Sequence, residues 1–196
     1  MFNRIAVSLV IGVFMASSAF AGATDDVKKV VDDVVRIVSS KEMKKNDSAR
    51  RQALKKTIST IFDYSEMAKR SMGKNWNQRS AAEHKQFTDL FATLLENSYA
   101  GKIESYNNER IVYIKENIDG EYAEVKSKVV TALRDEFTLD YRLLNKNGKW
   151  MAYDVVIEGV SLVSNYRTQF NKIIASEGYP ALLKKLQTKS DELKSL

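Results

Sequence analysis

The 196-residue chain has no cysteine, one histidine, one proline and only eight glycines. Each scarcity excludes something. Without cysteine there is no disulfide, no thiolate nucleophile and no lipid-modified cysteine to tether the chain to a membrane. A single histidine leaves the usual zinc sites and Cys–His pairs without ligands. A Ser-His-Asp set would have to be built on His84, which falls in the first turn of a helix and off its apolar stripe. That is the position of a solvated surface histidine. No glycine-rich phosphate loop follows any strand. So few helix and strand breakers, with no internal repeat and no low-complexity stretch, point to one compact unit.

Long apolar runs are also missing, with one exception at the start. Arg4, the apolar residues 5–14 and Ala19-Phe20-Ala21 together read as a signal peptide cleaved after Ala21, the run being too short to cross ~30 Å of hydrocarbon. Residues 1–21 are thus a leader, and residues 22–196 one exported domain that diffuses freely. That length is enough to build a core without cross-links. Export without disulfides suits the periplasm of a Gram-negative cell better than the external medium. Net charge is +6, or +5 once Arg4 is removed with the leader. The cations are scattered among acids with no aromatic interleaving, which argues against nucleic acid and for no more than a mild preference for anionic surfaces.

What is present is periodicity. Val27, Val30, Val31, Val34, Val35 and Val38 form a stripe on a helix over residues 24–38, with Thr24 as N-cap. A second helix spans residues 47–62, and Asp63 caps a third that is closed by Gly73. Ser80 and Glu83 form a capping box that opens the longest helix, reaching about residue 106. Phe87, Leu90, Phe91, Leu94, Leu95, Tyr99 and Ile103 fall on one side of it.

Four alternating strands follow, at residues 110–116, 122–132, 136–144 and 149–158. Short turns make them an antiparallel meander with one wet face. The inward set reads Val125 and Val129 on the second strand, Phe137, Leu139 and Tyr141 on the third, and Met151, Tyr153 and Val155 on the fourth. At Gly159 the period changes and a helix runs from Ser161 to residue 177 with Val163, Tyr166 and Phe170 on its stripe. Pro180 then begins a final helix. Helices before and after a meander indicate an α+β domain with helices packed on one sheet face.

Asp154 is the one carboxylate placed to suggest chemistry. It reads either as an isolated base in a pocket or, more plainly, as a partner for the following helix N-terminus or a nearby arginine. Asp154, Gly159 and Arg167 are read as structural.

Three blocks of sequence carry a resemblance. Met72-Gly73-Lys74-Asn75-Trp76 is similar to an LGxxW element, with Met72 where leucine is usual. Glu83, Phe87, Phe91, Leu94, Leu95 and Tyr99 follow a long-helix pattern. Gly148, Trp150, Tyr153-Asp154-Val155 and Glu158-Gly159-Val160-Ser161-Leu162-Val163 resemble the run GxWxxYDVxxEGVSLV, continued by Asn165-Tyr166-Arg167 and Phe170. All three resemble the MlaC-type (toluene tolerance) periplasmic phospholipid-binding proteins, over essentially the whole chain after the leader.

The resemblance implies a cone of the nuclear-transport-factor type with additional helices, holding acyl chains between sheet and helices. It implies a monomeric, non-catalytic carrier without cofactor or metal. Such a carrier shuttles phospholipid between an outer-membrane lipoprotein–porin complex and an inner-membrane ABC transporter, maintaining outer-membrane lipid asymmetry. The expected lipid-binding residues are Phe91, Leu95, Tyr99, Val125, Val129, Phe137, Leu139, Tyr141, Met151, Tyr153, Val155, Val163, Tyr166 and Phe170. Two alternatives stand beside this: a carrier of another hydrophobic cargo such as a lipoprotein, or a cone-fold enzyme with Asp154 as base.

Overall fold

In a computed structural model, residues 22–106 and 108–194 are described. The expected leader lies outside them. Helix α1 (Ala23–Ser39), α2 (Asp47–Ile58), α3 (Tyr64–Met72) and α4 (Ala81–Glu104) precede strands β1 (Arg110–Asp119), β2 (Tyr122–Val130), β3 (Glu136–Lys146), β4 (Lys149–Ile157) and β5 (Val160–Ser161). Helices α5 (Leu162–Glu177) and α6 (Tyr179–Lys194) complete the chain. The sheet is antiparallel throughout, in the order β1-β2-β3-β4-β5.

The architecture is the expected α+β, with five strands where four were expected. The chain does not pass from β4 straight into a helix. Glu158 and Gly159, with φ of 49° and 77°, make a two-residue turn that returns as β5. Both central residues at positive φ match the primed turns that suit sheet twist. A glutamate rarely adopts that conformation. Here its backbone N–H donates to Thr138 O at 3.1 Å, and its carboxylate accepts from the Thr138 N–H.

The helices divide. Helix α1 lies against one face of the sheet, where Ala23 and Val27 pack on Ala123, Val125, Tyr141, Leu143, Trp150, Ala152 and Val155. Its start differs from the sequence reading, because Gly22 occupies the N-cap and the Thr24 N–H donates to Glu116 Oε2 at 2.6 Å. Deeper in the helix, Asp26 accepts from the Trp150 N–H at 3.0 Å. Valines with modest helix propensity are thereby held by packing and by two ties to the sheet.

Helices α3–α6 build a second cluster around Met67, Met72, Phe87, Phe91, Leu95, Phe170 and Leu182. Phe62 packs against both clusters, and the backbone at residues 61–63 is bonded to Ala152 on the open side of β4. The Ser80–Glu83 capping box is present, as are the side-chain caps from Asp63 and Ser161.

The three long ladders, β1–β2, β2–β3 and β3–β4, are each interrupted near mid-strand. The register shifts between Tyr113 and Lys115 on β1 and between Arg142 and Leu143 at the β3–β4 pair. Between β2 and β3, side chains take over: the Ser127 N–H donates to Asp140 Oδ1 at 3.0 Å and the Ser127 hydroxyl donates to Leu139 O. Bulges bend and twist strands locally, so the sheet's curvature concentrates there.

Candidate functional site

The register determines which expected residues share a face. Val129 opposes Phe137, Val125 opposes Tyr141, and on the next ladder Leu139 opposes Ile157 and Tyr141 opposes Val155. These residues therefore line the α1 side of the sheet together. Met151 and Tyr153 do not join them. Arg142 pairs with Asp154 while Leu143 pairs with Ala152, so Tyr153 is an extra residue in β4. Before the bulge Trp150 and Ala152 point toward α1, and after it Val155 and Ile157 do. Strict alternation placed Met151, Tyr153 and Val155 on one face; the inserted residue puts the first two opposite the third.

Tyr153 instead packs against the helical cluster, with the Arg70 guanidinium 3.9 Å from its ring centroid and the Tyr122 ring edge-on at 6.2 Å. Phe91, Leu95, Val163 and Phe170 are buried inside that cluster, and Tyr99 and Tyr166 border it. Phe91 meets Tyr166 and Phe170 edge-on at 5.1 and 5.4 Å. The fourteen expected residues thus fall into two groups joined through Phe62 and β4.

On the α1 face, exposure is graded along β3. Phe137 is 36 % exposed, Leu139 half-buried, Tyr141 8 % exposed and Leu143 fully buried. The apolar face therefore opens at the end carrying the β2–β3 turn and closes under the N-terminal half of α1. Val30, Val31, Tyr113 and Ile157 also border this face. The sequence reading left all four out of the site. The α1 stripe was visible in it, but nothing in the stripe says which face it covers.

Two phenols mark the closed half. Burial pushes Tyr141 well above the ordinary tyrosine range, with Tyr113 beside it adding to the effect. Burial, then Asp32 on α1, raises Tyr113 from 10.0 to about 12. The Tyr113 hydroxyl is buried without a hydrogen-bond partner. A neutral phenol is favoured in the fold, so its contribution is present below about pH 10 and is lost as pH rises toward 12. Tyr113→Phe is expected to leave stability unchanged or raise it by about 1 kcal/mol, and to flatten the alkaline decline. Urea unfolding at neutral pH and above pH 10 measures both.

Asp154 is buried, and its carboxylate is fully engaged. Oδ1 accepts from the Val163 N–H at 3.0 Å; Oδ2 accepts from the Ser161 hydroxyl at 2.6 Å and from Arg142 Nη1 at 3.2 Å. It holds the N-terminus of α5, where a carboxylate also complements the helix dipole. Its arginine is Arg142. Arg167 sits elsewhere, bonding Ser164 Oγ and running beside Gly73.

His84 differs from the sequence reading. It is half-buried, its ring stacked on Trp76 at 3.8 Å and 4°, with Nε2 bonded to Trp76 O at 2.8 Å. It ties α4 to the turn of the LGxxW-like element. Among the described residues no group of His, Cys, Asp and Glu is placed to hold a metal, and no helix is long and apolar enough to cross a membrane. Two clefts of about 410 and 450 Å³ lie at Lys184, Lys185 and Lys189 on α6 and at Trp76, His84 and Asp89. Neither is lined by an expected lipid-binding residue.

Comparison with known proteins agrees with the fold. A solved phospholipid-binding protein from Ralstonia solanacearum, in complex with a phospholipid, superposes with a TM-score of 0.81 at 27 % identity, covering 89 % of this chain and 99 % of that one. The intermembrane phospholipid transport system binding protein MlaC of Haemophilus influenzae is 27 % identical over 126 residues, 62 % of this chain and 59 % of the relative. The toluene tolerance protein ttg2D of Pseudomonas putida is 25 % identical over 142 residues, 71 % of this chain and 66 % of the relative. The chain is thus aligned over less than two thirds of either curated relative. The sequence profile of the MlaC protein family matches residues 28–188. With the profile matched from α1 into α6 and the fold shared with a phospholipid-bound protein, the chain belongs to the MlaC family.

Proposed function

We propose that this protein is a non-catalytic periplasmic carrier of diacyl phospholipid, with the acyl chains held on the α1 side of the sheet and the headgroup at the open end. The observation that carries the reading is the apolar face of β2, β3 and β4, graded from exposed Phe137 to buried Leu143, in a chain that shares its fold with a phospholipid-bound protein. The sheet residues Val129, Phe137 and Leu139 lie nearest the opening and form the wall met first by the chains, with Val155 deeper, opposite Tyr141. Phe91, Leu95, Val163 and Phe170 form the packed support behind β4.

Energetics require enclosure. Two acyl chains carry about thirty methylenes, each worth roughly 0.8 kcal/mol on leaving water, so desorption is opposed by on the order of 25 kcal/mol. A surface patch does not offset that. The chains need a pocket near the top of the usual range of ~300–1,000 Å³, which implies that the sheet and α1 part when lipid enters. Charged headgroups stay in water, giving broad headgroup tolerance.

The leader-like sequence of residues 1–21 and the absence of cysteine support export to a diffusing, untethered form. In that setting the carrier exchanges lipid between an outer-membrane lipoprotein–porin complex and an inner-membrane ABC transporter. Net direction is set by those partners, because a carrier alone only equilibrates its cargo. Mass spectrometry of an organic extract of the purified protein tests the reading. Co-purified diacyl phospholipid is expected; lipoprotein or another apolar cargo in its place would overturn it.

A further inference from the structure

The β2–β3 turn is built to present a leucine to solvent. Leu133 is 85 % exposed, the most exposed large apolar side chain among the described residues. The turn around it is not slack. The Thr131 N–H donates to Asp135 O at 2.9 Å, the Arg134 N–H to Thr131 O at 3.0 Å, and the Asp135 N–H to Thr131 Oγ1 at 3.1 Å. Arg134 takes a φ of 68°, a conformation that non-glycine residues visit at a cost and that is held by those bonds. Just inside, Lys128 Nζ bonds Glu136 Oε2 at 2.8 Å across the two strands. Turns favour glycine, proline, asparagine, aspartate and serine, so a leucine held at the tip departs from the usual chemistry.

What lies behind the tip gives it a use. Leu133 sits in the turn at the open end of the graded apolar face, which runs inward from Phe137 opposite buried Val129 to Leu139 opposite Ile157 and then Tyr141 opposite Val155. Val160, 59 % exposed, pairs with Ile157 at the same end. The apolar face of the sheet therefore runs from partly exposed Phe137 to the closed half, with the tip of the turn just outside it. Leu133 stands beyond the wall, where a bound chain no longer needs it.

We propose that Leu133 is a lip that receives the leading acyl chain of a diacyl phospholipid as it leaves a bilayer, lowering the barrier to loading without adding to the affinity of the loaded state. This rests on the reading of the cargo given above. The crossing chain is least covered when it has left one apolar phase and not yet entered the other, and a side chain that covers it only there acts on rate alone.

The test follows the purified, delipidated chain taking up a fluorescent diacyl phospholipid from phosphatidylglycerol vesicles in which the label is self-quenched. Leu133→Gln is expected to slow loading about tenfold, equivalent to ~1.4 kcal/mol in the barrier, with the amount bound at equilibrium unchanged. Leu133→Met, which keeps an apolar tip, is expected to load close to the parent rate. An unchanged rate for Leu133→Gln overturns the lip alone, as does a Met variant as slow as the Gln variant. A lower equilibrium amount overturns it too, by placing Leu133 in the wall. A parent chain that takes up no phospholipid overturns the cargo reading and the lip with it.

Discussion

The chain carrying Val155→Glu is expected to fold and to take up phospholipid roughly 5- to 150-fold more weakly than the parent, the factor that an unpaired polar group costing about 1–3 kcal/mol makes in an equilibrium. Val155 lies 8 % exposed on the α1 face, directly across from Tyr141 and past the β4 bulge. The buried residues clustered with it include Val27, Val125, Tyr141 and Leu143, all apolar or phenolic. The new carboxyl therefore either stays protonated or draws water, and both disfavour an acyl chain alongside. The cost to folding is a fraction of the ~5–15 kcal/mol typical of a domain, so far-UV circular dichroism should show a native fold. Phe137→Glu provides a second variant at the exposed end, where the folding cost is small and the same weakening is expected. Normal uptake by folded Val155→Glu would place Val155 outside the lipid space.

Asp154→Asn is expected to produce the opposite pattern, with stability lost and lipid uptake kept. The asparagine oxygen still accepts the Val163 N–H, but the amide cannot accept from the Ser161 hydroxyl and meets the Arg142 donors with N–H groups of its own. Charge-assisted bonds of this kind contribute about 1.5–3 kcal/mol. A melting temperature lower by roughly 3–12 °C follows for a chain of this size. Uptake measured below the new transition should match the parent. If Asp154 were a catalytic base, the asparagine variant would keep its stability and lose an activity instead.

The two variants also separate what was legible in the sequence from what was not. Asp154 near the start of a helix, Asp63 before the third helix and Ser80 three residues ahead of Glu83 are local signals, and each reappears as a side-chain cap. Alternation on β2 and β3 was equally readable, because their inward residues keep one register from Ala123 to Val129 and from Phe137 to Leu143. The family blocks added the fold.

Strand β4 was different. Its residues are apolar on both faces, so period 2 fits either assignment, and a single inserted residue at Tyr153 reverses the outcome. Nothing in Met151-Ala152-Tyr153 announces a bulge. The Glu158–Gly159 turn was hidden for a related reason: glutamate is an unexpected residue at positive φ, and its support comes from Thr138, twenty positions earlier. The same limit applies to His84. The reading that set it off the apolar stripe did not hold, because it lies three residues before buried Phe87 and seven before buried Phe91 on the same helix face, and its stacking on Trp76 depends on how the turn at residues 73–78 folds back.

The division of the helices was also beyond local reading. A stripe tells that a helix is buried, not against what. The α1 valines and the aromatic residues of α4 have similar periodicity, yet one set covers the sheet and the other builds a cluster beyond β4. Only the sheet register, with the bridge of Phe62 to Ala152, separates them.

A carrier of this kind must hold diacyl phospholipid without help from a partner. Native mass spectrometry of the delipidated protein, after incubation with phosphatidylglycerol vesicles and removal of the vesicles, tests it most directly. Folded protein carrying the added mass of intact phospholipid is expected. Folded protein that remains at its bare mass under the same conditions would contradict it.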